Sequence, residues 1–358
     1  MSGGDLIKFK PGKIVCGKWK ILEMLGAGGC GAVFEATCLT RKNFTAALKV
    51  EANNIEDGGV LKLEAEVLEK LKNKHNVIRL IDSGKRQKYS FIVMTLCGPD
   101  LMFLRLHQGT NNLKREHGRF SEATIMRIGV HSLFAIKQLH EIGYTHRDVK
   151  PGNMVVGLHG RDSRVIFLID YGMVRSFILK DAKNSSSIRK PRRNALFRGT
   201  FRYCSINAHN RLEQGRVDDL WSLLYMLAEC YIGLPWSKYT DEQQLLKLKG
   251  SFTDDEYSKR LPAEFRLITQ HLKTLQYDTR PNYKEIYDAL MKGVKRLKTD
   301  FSSAYDWEDE KDLLEPITTA LSFSDPKMSK KPLTKEQLEW KLYPSTDPMR
   351  FEENILGF

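Results

Sequence analysis

The sequence predicts an α+β protein in two lobes: a small antiparallel sheet with one main helix, then a larger, mostly helical lobe. Three observations predict it. Short strand-like runs broken by Gly and polar residues fill residues 19–96. Long segments with helical spacing dominate residues 121–297. The composition changes between them, at a connector around Thr95–Asp100. The 358 residues are 41% hydrophobic, enough to bury a core.

Residues 1–18 are polar and read as a loose lead-in. WKILEMLG, AVFEATC and FTAALKV each suit a strand. In GGVLKLEAEVLEKLKN, Val60, Leu63, Val67 and Leu71 fall at helical spacing. NVIRLID and YSFIVMTL add two strands, so five strands and one helix close the first lobe at Leu96. Ser121 is a candidate N-cap for a long helix carrying Ile125, Ile128, Ile136 and Leu139, with Gly143 beyond its end. Short strands recur at MVVGL and VIFLI. After Asp218 come DDLWSLLYMLAECY, DEQQLLKLK, AEFRLITQHL and YKEIYDALMKGVKRL, all helical in pattern. The domain division is therefore a lead-in at 1–18, a body at 19–297 (lobes 19–96 and 97–297), and a tail at 298–358 packed partly on the body.

Lys and Arg number 57 against 44 Asp and Glu, a formal charge of +13. This points to acidic or phosphorylated partners, or to a solvated surface. The basic residues are not interleaved with stacking aromatics, which argues against nucleic acid. The six cysteines are scattered and form no Cys-x-x-Cys pair, so a reducing compartment, the cytoplasm and also the nucleus, is expected. The opening MSGGDLIKFKPGK has no apolar core of signal-peptide length. The most apolar stretch, Leu220–Trp236, contains Glu229 and falls short of the roughly 20 residues of a membrane span, so it reads as a core helix and no membrane is expected.

Gly26-Ala-Gly28-Gly29-Cys-Gly31-Ala-Val33 matches G-x-G-x-x-G-x-V. Glycines there let backbone N–H groups approach phosphate oxygens with no Cβ in the way. A tight Gly-rich hairpin explains the same string. A strand follows Gly31, which excludes a dinucleotide-binding turn, and the absence of Gly-Lys-[Ser/Thr] excludes a Walker A loop. Lys49 ends the third strand-like run, where its ammonium can reach phosphates. Glu64 lies beside the apolar stripe of the next helix and can turn inward to pair with it. The alternative is two ordinary surface charges.

His146-Arg147-Asp148-Val149-Lys150-Pro151-Gly152-Asn153 is the most specific string in the chain. Asp148 can accept a hydroxyl proton and orient a nucleophile. Lys150, two residues on, can reach a transferring phosphoryl group. Asn153, five residues on, can ligate a metal through its amide oxygen. Asp170-Tyr171-Gly172 follows VIFLI, and a carboxylate beside a Gly turn suits Mg²⁺ bridging phosphates. A turn-forming Asp is the alternative reading of that residue alone.

In this order, Gly26–Val33, Lys49, Glu64, His146–Asn153 and Asp170–Gly172 resemble a eukaryotic protein kinase, and Gly199-Thr200, Asp218–Ser222 and Asp278-Thr-Arg280 extend the likeness over about residues 19–297. Ser205-Ile206-Asn207 stands where most such kinases carry Ala-Pro-Glu, as in the casein kinase 1 group. The Phe197–His209 segment and Asp306-Trp307-Glu308 look most like the tau-tubulin kinase family within it.

The resemblance implies a two-lobed kinase fold, ATP and Mg²⁺ as cofactors, a monomeric state, and protein substrates phosphorylated on Ser or Thr. It implies that Lys49 holds the phosphates and Glu64 orients it, and that Asn153 and Asp170 hold the metals. Met94 would be the gatekeeper, with backbone groups of Thr95 and Cys97 on adenine. Leu25, Val33, Ala47 and Val155 would sandwich the base. Arg202 and Lys238 would form an anion site for acidic or already phosphorylated substrates.

Some positions depart from the pattern or stay open. Tyr171 stands where Phe is usual, and its hydroxyl needs a partner or solvent. Arg280 lacks the acid it usually pairs with, which is Asn207 here, and so is either solvated or paired elsewhere. The basic stretch from Arg175 through Lys183 to Arg198 is either a recognition surface or a solvated loop. Ser185–Ser187 reads as a flexible stretch, with phosphorylation the alternative. His140 and His209 read as core or capping residues. The rival functions are a pseudokinase acting as a nucleotide-binding scaffold and a small-molecule kinase of related fold.

Overall fold

The alternating run Gly31–Cys38 buries every second residue, Ala32, Phe34, Ala36 and Cys38, as a strand with one covered face must. A computed structural model describes residues 7–28, 31–53, 59–107, 118–180, 185–252, 258–308 and 334–358. Its first lobe is an antiparallel sheet of six strands: β1 (Ile14–Val15), β2 (Trp19–Gly28), β3 (Gly31–Cys38), β4 (Thr45–Ala52), β5 (Leu80–Lys85) and β6 (Tyr89–Met94). Their order across the sheet is β1-β2-β3-β4-β6-β5. Helix α1 (Val60–Leu71) covers one face, setting Leu61, Val67 and Leu68 in a core shared with Ala47, Ile92 and Met94.

The other face holds a second apolar cluster of Trp19, Ile21, Phe34, Leu48 and Val93. That face needs a cover, and here the loose lead-in is corrected. Over residues 7–18 the chain packs: β1 pairs with Trp19 and Lys20, Val15 is fully buried, and Phe9 lies 5.3 Å from the ring of Phe34 and 5.2 Å from that of Tyr89. The sheet therefore has six strands where the pattern predicts five, because a two-residue strand is too short to show alternation. Residues 1–6 lie outside the described residues.

The second lobe begins with β7 (Cys97–Asp100) and α2 (Leu101–Leu106). Its axis is α3 (Glu122–His140), buried along nearly its whole length and capped at Ser121, whose hydroxyl accepts from Thr124 N at 3.1 Å. The strands β8 (Tyr144–Thr145), β9 (Met154–Gly157), β10 (Ile166–Leu168), β11 (Arg175–Ser176), β12 (Ile178–Lys180) and β13 (Ser186–Ile188) follow. Helices α4 (Ile206–His209), α5 (Arg216–Ile232), α6 (Glu242–Gly250), α7 (Ala263–Lys273) and α8 (Tyr283–Arg296) complete the lobe. Gly129 lets α3 cross α5 and α8 closely: a Cβ there would stand 2.9 Å from Leu290 and 3.3 Å from Leu227. The apolar stretch at Leu220 lies in α5 and is a core helix as expected. No helix among the described residues is long and apolar enough to cross a membrane. The flexible stretch at Ser185–Ser187 is corrected in part, since β13 pairs with β12 in a hairpin.

The tail is integral to this lobe. Arg127, buried in α3, donates to the carbonyls of Asp300, Ser303 and Ala304. Asp306 accepts from the backbone N–H and hydroxyl of Ser121, and Glu308 pairs with buried Arg164 at 2.7 Å. Residues 309–333 lie outside the described residues; α9 (Lys335–Leu342) and α10 (Met349–Glu352) follow. Ser345 bonds His131 Nδ1 at 2.6 Å in the second lobe and accepts from Asn76 of the first at 3.2 Å. Arg280 has its partners here too: Glu141 at 3.3 Å and the Glu353 carbonyl at 2.6 Å.

Phe351 is fully buried and stacks on Tyr287 at 4.4 Å, with Phe134 at 5.7 Å. Replacing it by Ala should cost about 3–5 kcal/mol of stability, as for other core aromatics. Urea unfolding measures this, and a loss under about 1 kcal/mol would show that the tail is peripheral.

Candidate active site

Lys49 and Glu51 alternate with the outer-face residues of β4, so both point toward α1. Glu51 caps that helix: its carboxylate accepts from the backbone N–H groups of Val60 at 3.1 Å and Leu61 at 3.3 Å. Gly59 makes room, since a Cβ there would sit 2.4 Å from that carboxylate. The cap fixes α1 against the sheet and brings Glu64 inward. Lys49 Nζ donates to Glu64 Oε2 at 2.7 Å and to Asp170 Oδ1 at 2.8 Å. These are buried groups, which removes the surface-charge reading. Burial alone would lower Lys49; the charges of Glu64 and Asp170 overcome it and hold the ammonium above the usual lysine range. Burial would likewise raise Asp170, but Lys49 keeps it below the usual carboxylate range.

Asp170 has a left-handed backbone, φ 64°. Tyr171 N–H donates to Glu64 at 3.3 Å, and the Tyr171 hydroxyl donates to the Leu168 carbonyl at 2.9 Å. The additional hydroxyl is thus satisfied inside the core.

The loop after β8 hangs on Asp219, fully buried in α5. One carboxylate accepts from His146 N–H at 2.7 Å, Arg147 N–H at 2.8 Å and His140 Nε2 at 2.8 Å. His140, with its other nitrogen on the Tyr283 hydroxyl, is the core residue expected. This holds Arg147 at φ 68° and presents Asp148 to the cleft. Asp148 receives Lys150 Nζ at 2.7 Å on one oxygen and the Thr200 hydroxyl at 2.7 Å on the other. Asn153 Nδ2 donates to the Asp148 carbonyl at 2.8 Å. Gly199 permits this approach: a Cβ there would stand 2.5 Å from the Arg147 carbonyl.

The residues present fit a hard cation. The amide nitrogen of Asn153 is turned to Asp148, which leaves its oxygen, and a bond from Ile169 N–H to the Asn153 carbonyl at 3.0 Å ties it to the neighbour of Asp170. Among the described residues no three His, Cys, Asp or Glu side chains form a metal cage of their own. One carboxylate and one amide oxygen suit Mg²⁺ shared with substrate phosphates. Gly26 and Gly28 face open space, so nothing in the chain demands glycine there, whereas Gly31 has φ 106° and a Cβ would strike the Val50 carbonyl at 2.1 Å. Gly29 and Cys30 lie outside the described residues. Ala47, Met94 and Val155 share the core, with Val33 and Cys97 against it and Leu25 half exposed. Thr95 donates its N–H to the Arg79 carbonyl at 3.0 Å, and its own carbonyl takes a long contact from the Cys97 thiol at 3.9 Å.

Arg202 and Lys238 are not arranged as the expected anion site. Arg202 donates to Glu229 at 3.0 Å and to the Ser237 carbonyl at 2.8 Å, while Lys238 is exposed. Helix α5 buries the acid Glu229 beneath this segment, and Arg202 is a cation that neutralises it.

The protein kinase domain model matches residues 19–290. This chain belongs to the protein kinase family. Among its relatives is a Caenorhabditis elegans chain whose name assigns it provisionally to the serine/threonine-protein kinases, 37% identical over 302 residues, 84% of each chain. A second C. elegans chain, named provisionally as a casein kinase I, is 31% identical over 84% of this chain and 86% of its own. A third, named an inactive tau-tubulin kinase, is 35% identical over 63% of this chain and 78% of its own.

Sequence reasoning gave no role to several residues that shape this kinase site. Glu51 carries no signal of its own, and Thr200 enters only within the Gly199-Thr200 string, with no contact assigned to it. Lys249 in α6 is another: it is buried and donates to the carbonyls of Phe201 at 2.7 Å and Cys204 at 2.5 Å, behind the segment that follows Thr200. It also meets His209 Nε2 at 3.0 Å and the Cys204 thiol at 3.7 Å, and burial pushes Lys249 down to about 8. Lys249→Met should raise the KM for a peptide several-fold, leave the KM for ATP unchanged, and lower stability by about 2 kcal/mol for two carbonyls left without donors. Steady-state kinetics with both substrates varied decides, and an unchanged peptide KM removes the positioning role.

Proposed function

We propose that this protein is a serine/threonine protein kinase that transfers the γ-phosphoryl of ATP to hydroxyls of protein substrates. The observation that carries the reading is that the fold joins Lys49 to Asp170 across 121 residues of sequence, beside an Asp148 bracketed by Lys150 and Thr200. Lys49 holds the phosphates and Glu64 fixes Lys49. Asp148 accepts the hydrogen bond of the substrate hydroxyl and orients its oxygen for attack. Lys150 donates to the phosphoryl group in transit. Magnesium, held by Asp170 and Asn153, supplies charge neutralisation of the phosphates when bound. Catalysis is then positioning and charge compensation, with no covalent intermediate on the protein.

We read the chain as a member of the casein kinase 1 group, most like the tau-tubulin kinases. Support comes from Ser205-Ile206-Asn207, from the Asp306-Trp307-Glu308 anchor, and from the names of two relatives. Where the usual acid is absent, Asn207 bonds Asp218 at 3.1 Å, and Arg280 takes Glu141. A relative named inactive raises the scaffold alternative. The presence of all four residues, with Lys49 bonded to Glu64 and Asp170 and with Asp148 bonded to Lys150, favours turnover.

Acidic or primed substrates fit the exposed Lys190, Arg193 and Lys238, with Arg202 already engaged by Glu229. Matched peptides with and without an upstream phosphate test this, and equal kcat/KM removes it. Asp148→Asn should lower kcat by about 10²–10⁴ on an acidic peptide, the range of a general acid–base group. Magnesium-dependent phosphorylation by the purified wild type is the control; turnover of the variant at the wild-type rate overturns the assignment of Asp148.

A further inference from the structure

The outer face of the first lobe, on the side of the sheet away from Lys49, carries charge that the chemistry described above does not use. Three stretches meet there: residues 7–18, the turn between β3 and β4 (39–44), and the turn between β5 and β6 with its flanks (83–90). Together they hold nine Lys and Arg and no Asp or Glu. Contacts tie them to one another. Leu39 N–H donates to the Lys18 carbonyl at 2.8 Å, Arg86 Nε donates to Cys16 Sγ at 3.2 Å, and the rings of Phe9 and Tyr89 meet at 5.2 Å. Ile7 and Phe9 pack on the outer apolar cluster, while Lys8 and Lys10, alternating with them, are exposed. Lys13, Lys85 and Lys88 are exposed too, and among the described residues none of these five lysines forms an ion pair. Asp82 on β5 does reach this surface, but it is taken by Lys18 Nζ at 2.8 Å and by the Trp19 indole N–H at 2.9 Å.

We propose that this face is a docking surface for an acidic segment of a partner protein, a run of Asp and Glu laid across the outside of the first lobe. A surface that only needs to stay solvated mixes both signs of charge. Here one sign stands alone over three stretches of chain that folding gathers, and like charges so gathered attract an anion from outside. The shape of the face selects the kind of anion. Strands β1 and β5 are the two edges of the sheet, yet the β1–β2 turn reaches β5 and the turn after it through Lys18 and Cys16. The sheet is therefore curled, and cations set around a curl face more than one way. A flat anionic bilayer gathers charges that lie in one plane, whereas an extended polypeptide follows the curve. Bases need aromatic faces to stack on, and Phe9 and Tyr89 are taken up by packing on each other, with Phe9 also on Phe34. Lys49 and Glu51 lie on the opposite side of the sheet, so a docked segment and a phosphoacceptor do not compete for space. The proposal goes beyond the kinase reading and does not depend on it.

The test measures binding to the full chain without nucleotide. The probe is a fluorescein-labelled peptide of about ten glutamates, followed by anisotropy. The wild type should bind it at about 0.15 M salt and more weakly at about 0.5 M, as screening requires. Lys10→Glu, Lys13→Glu and Lys88→Glu together should weaken binding by about tenfold or more, with the melting temperature and kcat on a short peptide unchanged. Gln at the same three positions removes the charge without reversing it and should give a smaller loss in the same direction. Lys190→Glu with Arg193→Glu should leave this binding as it is. Equal binding by the wild type and the triple Glu variant overturns the proposal. So does a loss seen only with the Lys190 and Arg193 pair, which would seat the peptide there instead. Tighter binding to phosphatidylserine vesicles or to single-stranded RNA than to the peptide overturns it as well. A wild type that docks the peptide but phosphorylates no substrate would count against the kinase reading and leave the docking surface standing.

Discussion

An ammonium taken out of water is tolerated only while its counter-charges stay with it, and Lys49 has two of them on different lobes. Glu64 comes from a helix of the first lobe, the one capped by Glu51. Asp170 comes from a turn that belongs to the second. The three groups hold one another in place, so the cleft between the lobes is also the place where their charges are balanced. Glu51 acts one step earlier, because a helix end without a side-chain cap of its own needs an outside anion. Strand β4 therefore serves the site twice, through alternate residues on one face.

Helix α5 plays the matching part in the second lobe. It is buried and mostly apolar, yet three of its acids reach outward to loops. Asp218 accepts from the Ser205 hydroxyl at 2.5 Å and Gly215 N–H at 2.6 Å; Asp219 accepts two backbone N–H groups of the catalytic loop; Glu229 takes Arg202. Each carboxylate fixes a segment that has no regular structure to fix it. Buried acids of this kind are costly unless bonded; Asp218 and Asp219 have donors on both oxygens, and Glu229 has Arg202 on one.

Much of this was legible in the sequence, for physical reasons. Lys49, Glu64, Asp148 and Asp170 carry chemistry that only a few residue types perform, and their spacing is constrained by the turns between them. The helices α3 and α5 announce themselves by long apolar periodicity. What escaped notice depends on tertiary placement. Val15 and Phe9 cover the sheet from a stretch that looks polar. Lys249 is an ordinary residue until folding sets it beside the carbonyls of Phe201 and Cys204. Arg202 reads as a recognition cation because its buried partner lies 27 residues further along, on a helix face that the sequence presents as apolar. Arg280 likewise found its acid in Glu141, at the end of α3.

Ser345 touches His131 in one lobe and Asn76 in the other, while Phe301, Tyr305, Tyr343 and Phe351 fill the back of the second lobe. The family pattern alone would place the C-terminal border near residue 297. A recombinant fragment cut at that border would carry a greasy trench along its main helix, with the guanidinium group of Arg127 stranded in it. Such a fragment would tend to clump in storage, and lost activity in it would report on its colloidal behaviour before it said anything about phosphate transfer.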